Sequence, residues 1–344
     1  MVQYGVKTFG ELDSQMTSVE RIVEYAELDP EPDNGTTTPP DTWPTSGKLT
    51  FRTVSLQYSP DDPPVLKQVT FESQAGEKIG IIGRTGAGKS SLISVLFRLF
   101  DFDGSIIIDN VETKSIPLQN TRSKISIIPQ EPILFLGSLR KNIDPFDEYS
   151  DSQIWSALEE LELKQMISNL PSGLESLVTE RGSNFSVGER QLLCLVRAML
   201  RNNKIIVLDE ATANVDLKTD ELIQSIIRRK FRDCTVLTIA HRLNTIIDSD
   251  KILAMDGGKV VEFDHPYKLL QNQNGFFYGF VVKNGDKMLK DFIKIAKNVR
   301  LLSWFNVYFV VFCFSRQLRK VLSRNIGTLL NSDISRTTCN QKNV

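Results

Sequence analysis

A glycine-rich loop between a short apolar strand and a helical segment has the residue types needed to bind phosphate. It follows the strand KIGII, precedes the helix SSLISVLFRLF, and fits the pattern GxxxxGK[ST] with Gly83, Arg84, Thr85, Gly86, Ala87, Gly88, Lys89 and Ser90. Glycines let backbone N–H groups face phosphate oxygens, and the start of the helix adds positive potential. Lys89 would neutralise phosphate charge, while Ser90 would ligate magnesium with Ser91 beside it. The loop therefore predicts a phosphate and Mg2+ site.

Two carboxylates follow another apolar strand. Residues 205–208 are apolar, and Asp209 and Glu210 come directly after them. Ligands of α/β proteins bind at the carboxyl ends of the strands. There Asp209 would hold magnesium through water, and Glu210 would polarise a water that attacks a γ-phosphate. Such a strand end is common by itself, but together with the phosphate loop it indicates nucleoside triphosphate hydrolysis.

An amide and an imidazole follow two further strands of the same predicted sheet. Gln130, after the strand ISII, could reach magnesium or the attacking water, although most glutamines at strand ends are simply solvated. His241, after CTVLTIA, could donate a hydrogen bond to the γ-phosphate or could be a capping or surface residue. His265, in the turn FDHPY, is predicted to be a capping or surface residue.

Composition limits the classes of protein that the chain can belong to. With 344 residues, 41% hydrophobic and 24% charged, it can bury one large domain plus extensions. A net charge of -1 gives no general attraction to nucleic acid, so no nucleic-acid partner is predicted. The first residues lack the pattern of a basic region, an apolar stretch and a small-residue cleavage site, so no secretory signal is predicted in them. The cysteines are far apart without CxxC spacing, which favours a reducing compartment; they are Cys194, Cys234, Cys313 and Cys339.

Four regions follow from the pattern along the chain. Residues 1–28 form a candidate amphipathic helix, and residues 29–46, rich in Pro, Thr and acidic groups, are predicted to be an exposed linker. The main domain covers 47–283, and 284–344 is a helical and basic tail. Within the tail, Leu301–Phe314 is shorter than the ~20 residues of a membrane span. Residues 299–344, with seven basic residues and one acidic residue, could touch an anionic membrane, be disordered, or reflect an incorrect gene model.

The alternation of strands and helices predicts the fold class. Short apolar strands at 105–108, 125–128, 204–208 and 235–239 alternate with helical segments at 151–161, 187–201 and 216–231. This alternation favours a mainly parallel α/β sheet. The predicted fold is an α/β cassette around the phosphate loop, with an antiparallel β subdomain at its start and a helical subdomain around 140–200.

A third motif lies upstream of the acidic strand, and with it the chain resembles the nucleotide-binding domain of ABC transporters over about 48–282. The segment 184–191, NFSVGERQ, is similar to the family signature in the form found in the second cassette of C-subfamily, multidrug-resistance-associated transporters. The resemblance implies that Ser186 and the N–H groups near Gly188 bind the γ-phosphate held by a partner cassette, although Ser186 is also suited to be an ordinary N-cap of the helix that follows. Glu189 replaces the usual glutamine, which leaves the strength of that half-site open.

Further matches extend the resemblance. Tyr58 resembles the aromatic residue that stacks on adenine, and 213–216, ending in Asp216, resembles the D-loop; each could instead be a core aromatic or a turn. The segment QMTSVERIVEYAEL is similar to the exit of the last membrane helix in these transporters, notably the branch of their fourth member. Residues 299–344 do not match the family.

The resemblance implies an ATPase with ATP and Mg2+ that drives export of organic-anion or drug-like substrates. It implies a second nucleotide-binding domain and transmembrane domains as partners, and a position at the cytoplasmic face of the plasma membrane. An alternative is a truncated module that binds ATP and pairs with another cassette without transport. A P-loop kinase or switch GTPase is disfavoured, because no NKxD motif is present and a signature helix has no role there.

Overall fold

The computed structural model describes residues 2–211, 215–240, 243–246 and 248–283. In chain order, the strands are β1 (Leu49–Leu56), β2 (Leu66–Glu72), β3 (Lys78–Gly83), β4 (Asp103–Ile108), β5 (Val111–Glu112), β6 (Ile125–Ile128), β7 (Gly137–Ser138), β8 (Leu177–Val178), β9 (Ile205–Asp209), β10 (Thr235–Ile239), β11 (Lys251–Asp256) and β12 (Lys259–Asp264). The α-helices are α1 (Val2–Ala26), α2 (Lys89–Leu96), α3 (Leu118–Ser123), α4 (Leu139–Ile143), α5 (Asp151–Glu160), α6 (Lys164–Ser168), α7 (Val187–Arg201), α8 (Leu217–Lys230), α9 (Pro266–Gln271) and α10 (Phe276–Val282).

A mostly parallel sheet forms the centre of the cassette, in the order β12-β11-β3-β10-β9-β6. All neighbouring pairs run parallel except β11 and β12. Its inner strands are covered on both faces, so they are largely apolar; residues 205–208 of β9, for example, are all buried. The carboxyl ends of β3, β9 and β6 therefore meet at one edge of the sheet. The predicted α/β class is confirmed.

A second, antiparallel sheet has the order β2-β1-β4-β5. In β1 the buried residues include Phe51, which stacks on Phe71 of β2 with ring centroids 4.5 Å apart. The placement of 105–108 in the parallel sheet is wrong, because this segment lies in β4 and pairs Ile106 antiparallel with Phe51. A short apolar run carries no information about strand direction, which is decided by the neighbour that it meets.

The helical subdomain predicted around 140–200 is also confirmed. Helices α4 to α7 and the two-stranded sheet of β7 and β8 occupy residues 137–201. Their core includes Leu139, Ile154 and Leu193, none of which is exposed to solvent, and it continues onto the sheet at Ile206. The helical subdomain is therefore packed on the central sheet rather than attached only through the chain.

Helix α1 agrees with the predicted amphipathic helix at the start of the chain. One set of apolar residues at helical spacing is exposed along it: Leu12, Met16, Val19, Ile22 and Val23. Among the helices that the structure describes, none combines the length and apolarity needed to cross a bilayer. The predicted apolar stretch 301–314 and the basic tail lie outside the described residues.

The segment 29–46 contacts the cassette, although most of its residues are exposed as predicted. The Glu31 carboxylate accepts two hydrogen bonds from the Arg122 guanidinium, at 2.7 and 2.5 Å. Asp33 accepts one from the Leu118 backbone N–H at 3.0 Å. These contacts join the chain between α1 and the cassette to α3, so the segment is anchored at its start.

Trp43 belongs to the core of the cassette, ahead of the domain boundary that the sequence places near Gly47. Its side chain is 4% exposed and packs in the cluster that includes Phe51, and its indole N–H donates to the Ile108 carbonyl oxygen at 2.9 Å. A tryptophan in a Pro- and Thr-rich segment has no periodicity that would reveal this burial.

Replacing Trp43 with Ala is expected to lower the free energy of unfolding by about 3–5 kcal/mol, because a large buried ring is lost and a cavity remains. Trp43→Phe keeps most of the apolar contact but leaves the Ile108 carbonyl without its donor, so a smaller loss is expected. Denaturant titration of both variants would measure this, with exposed Thr42→Ala as control. A loss below about 1 kcal/mol for Trp43→Ala would contradict the assignment of Trp43 to the core.

Candidate functional site

The phosphate loop is the turn between β3 and α2. Gly86 (φ 81°) and Gly88 (φ 97°) adopt left-handed backbone conformations that glycine tolerates best. A Cβ atom at Gly88 would lie 2.8 Å from Cδ2 of Leu66, so close packing also requires glycine there. Because α2 begins directly after Gly88, the N–H groups of its first turn have no acceptor within the helix. The loop therefore offers these N–H groups to an anion.

Lys89 spans the phosphate loop from the first turn of α2. Its Nζ atom donates to the carbonyl oxygens of Gly83 at 2.9 Å and Arg84 at 3.1 Å. Burial lowers the pKa of Lys89, and the negative charges of Glu210 and Asp209 oppose this shift. The acceptors on Nζ are neutral carbonyls, and charge-assisted hydrogen bonds to phosphate are stronger. Phosphate oxygens can therefore replace them.

Gln130 and Glu210 meet at the carboxyl edge of the sheet, because β6 and β9 are neighbours. The Gln130 Nε2 atom donates to Glu210 Oε2 at 2.9 Å. This orientation turns the carbonyl oxygen of the amide away from the carboxylate. Glu210 itself has φ 48°, an unusual backbone conformation for a residue with a side chain. The structure thus brings together two predicted site residues that are distant in the sequence.

Tyr58 lies just after β1 and is 45% exposed. Its hydroxyl donates to Ser91 Oγ, on α2, at 2.9 Å. Its ring is perpendicular to that of Phe100, with centroids 4.7 Å apart and an interplanar angle of 87°. Tyr58 is therefore a partly exposed aromatic beside the phosphate loop rather than a core residue. The sequence reasoning missed Phe100, since an aromatic in a short loop carries no signal of a partner so distant in the chain.

The signature segment forms the start of α7. Ser186 caps the helix: its Oγ accepts from the Glu189 N–H at 3.2 Å, and its own N–H donates to Glu189 Oε2 at 2.7 Å. This reciprocal pair is a capping box, for which glutamate is well suited. At Gly188, a Cβ atom would lie 3.3 Å from Thr219 Cγ2, so α7 approaches the start of α8 closely there. Glu189 thus has a structural role in the local geometry of the signature.

The order and geometry of these motifs agree with comparisons to known proteins. The family described as "ABC transporter" matches residues 66–213. Human "ATP-binding cassette sub-family C member 4" is 53% identical over 300 residues, covering 87% of this chain and 23% of that protein. Drosophila melanogaster "Probable multidrug resistance-associated protein lethal(2)03659" is 54% identical over 305 residues, covering 86% and 22%.

The cassette is an ABC transporter nucleotide-binding domain. A solved structure titled "Structure of a bacterial Atm1-family ABC exporter with ATP bound" matches it with TM-score 0.68 and 30% identity, covering 78% of this chain and 47% of that one. As a member of this family, the cassette is an ATPase domain and binds ATP. The chain spans less than a quarter of the length of these two curated relatives.

The ABC cassette offers a set of oxygen atoms that suits a hard divalent cation. The predicted groups are the Ser90 hydroxyl in the first turn of α2, the Gln130 carbonyl shortly after β6 and, acting through water, the Asp209 carboxylate at the end of β9. Mg2+ prefers oxygen ligands of this kind and keeps several waters. The residues present therefore fit the ion.

Gln191, also in the signature segment, makes a contact with the Gln130 loop that the sequence does not predict. Its side chain is 1% exposed, and its Nε2 atom donates to the Pro129 carbonyl oxygen at 3.1 Å. Pro129 directly precedes Gln130. The signature helix is therefore joined to the loop that carries Gln130, and no motif in the sequence indicates this contact.

Asp216 is the N-cap of α8. Its carboxylate accepts from the N–H of Thr219 at 3.1 Å and from the Thr219 hydroxyl at 2.8 Å. Hydrogen bonds from Thr219 lower the pKa of Asp216. This capping role is established by the geometry, whereas nucleotide binding by Asp216 stays a prediction. The first two residues of the predicted D-loop, 213 and 214, lie outside the described residues.

The two histidines differ in what the structure shows. His241 lies outside the described residues, so its contact with the γ-phosphate stays a prediction. His265 is the N-cap of α9, and its Nδ1 atom accepts from the Tyr267 N–H at 3.1 Å. The capping role predicted for His265 is confirmed.

Proposed function

We propose that this cassette powers the export of organic-anion or drug-like substrates as part of a C-subfamily ABC exporter. The observation that carries the proposal is the 2.9 Å contact between Gln130 and Glu210 at the carboxyl edge of the sheet. It brings together the Gln130 amide, a predicted Mg2+ ligand, and the Glu210 carboxylate at the edge of the sheet where the phosphate loop begins. The drug-like substrate class rests on the relatives' description as multidrug resistance-associated.

The proposed binding of ATP uses residues from three parts of the cassette. Loop residues 83–88 and the first turn of α2, with Ser91, surround the phosphates, and Lys89 neutralises their charge. Tyr58 stacks on the adenine ring. Ser90, Gln130 and Asp209 would hold Mg2+, which when bound neutralises charge on the β- and γ-phosphates.

Hydrolysis is assigned to Glu210. Its carboxylate orients a water for in-line attack and accepts a proton from it as the new oxygen–phosphorus bond forms. The bond from the γ-phosphorus to the β,γ-bridging oxygen breaks, which releases ADP. Gln130 holds the Glu210 carboxylate by a hydrogen bond in the structure. His241 would donate a hydrogen bond to the γ-phosphate.

A second nucleotide-binding domain, in the same longer chain or another chain, is the first proposed partner. The 15-residue helix α7 begins directly after its N-cap Ser186, where the positive end of the helix dipole lies. Because Ser186 Oγ accepts from Glu189, its hydroxyl hydrogen can still be donated. We propose that it donates to the γ-phosphate bound by the partner cassette.

Transmembrane domains of the exporter are the second proposed partner, which would place the cassette at the cytoplasmic face of a membrane, the plasma membrane in our proposal. Two apolar surfaces support this. One comprises Ile133, Phe135 and Leu136, which are 56%, 64% and 71% exposed beside the Gln130 loop. The other is the exposed face of α1. Contiguous apolar surface of this kind is typical of interaction sites.

Pairing of cassettes predicts that ATP turnover per molecule rises with protein concentration. Ser186→Asp retains a good helix cap but adds a negative charge that repels the γ-phosphate, and it is expected to abolish this rise. Ser186→Asn, an equally good but neutral cap, is the matched control and should retain more turnover. Steady-state phosphate release from the 344-residue chain at increasing concentration would measure both.

The same titration distinguishes the exporter motor from a non-transporting module. Concentration-dependent turnover supports the motor. ATP binding without turnover at any concentration would instead support a module that pairs with another cassette and does not drive transport.

A further inference from the structure

Phe100 is a large aromatic residue that lies at the surface and not in the buried core. It is 46% exposed, yet its ring is perpendicular to Tyr58 at a centroid distance of 4.7 Å. Perpendicular aromatic pairs are favourable beyond the apolar area that they bury. Phe100 therefore stabilises one orientation of the Tyr58 ring while nearly half of each side chain stays open to solvent.

The loop that carries Phe100 is firmly held. The Arg98 guanidinium donates to the carbonyl oxygens of Thr113 and Ile116, both at 2.7 Å. The Arg98 carbonyl in turn accepts from Arg122 at 2.7 Å. Since Phe100 lies two residues after Arg98, its ring is mounted on backbone anchored by several hydrogen bonds.

Tyr58 is thereby held by two residues, one at each end of α2. Its hydroxyl donates a hydrogen bond to Ser91 in the first turn of that helix, and its ring contacts Phe100 just beyond the last turn. Because both the hydroxyl and the ring of Tyr58 are already held, the side chain loses little further conformational freedom when a ligand stacks on it. Preorganisation of this kind increases affinity.

We propose that Phe100 is a positioning residue for the nucleobase: it holds Tyr58 in the orientation that stacks on adenine. The inference rests on the proposed adenine stacking by Tyr58. It concerns recognition of the base alone, because the phosphates are bound by a different set of groups. Phe100 acts through Tyr58 and needs no contact of its own with the nucleotide.

The test compares a ligand with a base and a ligand without one. Binding of Mg2+-ATP and of inorganic tripolyphosphate with Mg2+ to the full 344-residue chain is measured by calorimetry. Phe100→Ala is expected to weaken ATP binding about 3- to 10-fold, the range expected for loss of one aromatic pair, and to leave tripolyphosphate binding unchanged. Phe100→Tyr should restore most of the ATP affinity.

A double-mutant cycle separates positioning from direct contact. If Phe100 acts through Tyr58, adding Phe100→Ala to Tyr58→Ala should weaken ATP binding no further. Phe146→Ala is the matched control, since Phe146 is another exposed phenylalanine and is 68% exposed. It should bind both ligands as the unmodified chain does.

Four outcomes would overturn the inference. One is unchanged ATP affinity in Phe100→Ala while Tyr58→Ala weakens it; adenine stacking then stands and only the role of Phe100 fails. Another is an equal loss of ATP and tripolyphosphate binding, which would indicate a disturbed phosphate loop. The third is full additivity of the losses in ATP-binding free energy caused by Phe100→Ala and Tyr58→Ala in the double-mutant cycle. Unchanged ATP binding in Tyr58→Ala would refute the proposed stacking itself, and this inference with it.

Discussion

Replacing Glu210 with Gln is expected to reduce ATP turnover by at least about 100-fold and to leave ATP binding intact, because loss of a general base costs this much or more. The carboxylate is needed to accept a proton from the attacking water, and an amide cannot do this. Binding should persist, since Lys89 and the phosphate loop do not depend on Glu210 for their hydrogen bonds.

Glu210→Gln tests the proton-accepting role of the carboxylate without removing the contact that Gln130 makes. Gln130 donates its hydrogen bond to an Oε atom of Glu210, and an amide oxygen at the same position can accept it as well. Glutamate and glutamine also have similar preferences at the φ of 48° found here. The folded structure and its edge geometry should therefore survive the substitution.

Phosphate release and equilibrium ATP binding would be measured side by side for Glu210→Gln. Glu131→Gln is the control, because it removes the same charge from an exposed residue next to Gln130. Turnover by Glu210→Gln equal to that of the unmodified chain would show that another group activates the water.

Replacing Lys89 with Met is expected to weaken ATP binding about 10- to 100-fold, the effect of losing charge-assisted hydrogen bonds to phosphate. Met has a similar length and fills the same space, since the Lys89 side chain is 7% exposed. The carbonyls of Gly83 and Arg84 lose their donor, but they lie in a turn that water reaches. The chain should therefore still fold.

Binding of both Mg2+-ATP and tripolyphosphate should fall in Lys89→Met, because Lys89 acts on the phosphates that the two ligands share. This pattern differs from that expected for Phe100→Ala, which affects ATP alone. Thermal unfolding without ligand controls for folding, and Lys67→Met, at an exposed position in β2, controls for the change of residue type. Unchanged tripolyphosphate affinity in Lys89→Met would contradict the assigned role of Lys89.

Local motifs were readable in the sequence because their geometry depends on adjacent residues. The phosphate loop needs glycine at positions such as Gly86 and Gly88, and these lie between a strand and a helix whose own patterns are clear. The capping box of α7 is equally local. Its S-x-x-E pattern, Ser186 and Glu189, is itself a sequence signal for the start of a helix, whereas the resemblance to the family marks Glu189 only as a departure from glutamine.

Contacts between distant residues were decided by the tertiary structure. The order of strands brings β6 beside β9, and only this adjacency joins Gln130 to Glu210. The direction of β4 was decided in the same way, by its pairing with β1 rather than by its apolar residues.

The sequence by itself determined the fold class, the family and the location of the phosphate loop, because each is encoded in short segments with their own periodicity or spacing. The burial of Trp43, the link from Gln191 to the Gln130 loop and the pairing of Tyr58 with Phe100 were decided only by the tertiary structure. Each of these contacts joins elements far apart in the chain. Their meeting depends on how sheets and helices pack, and packing leaves no periodic pattern in the sequence.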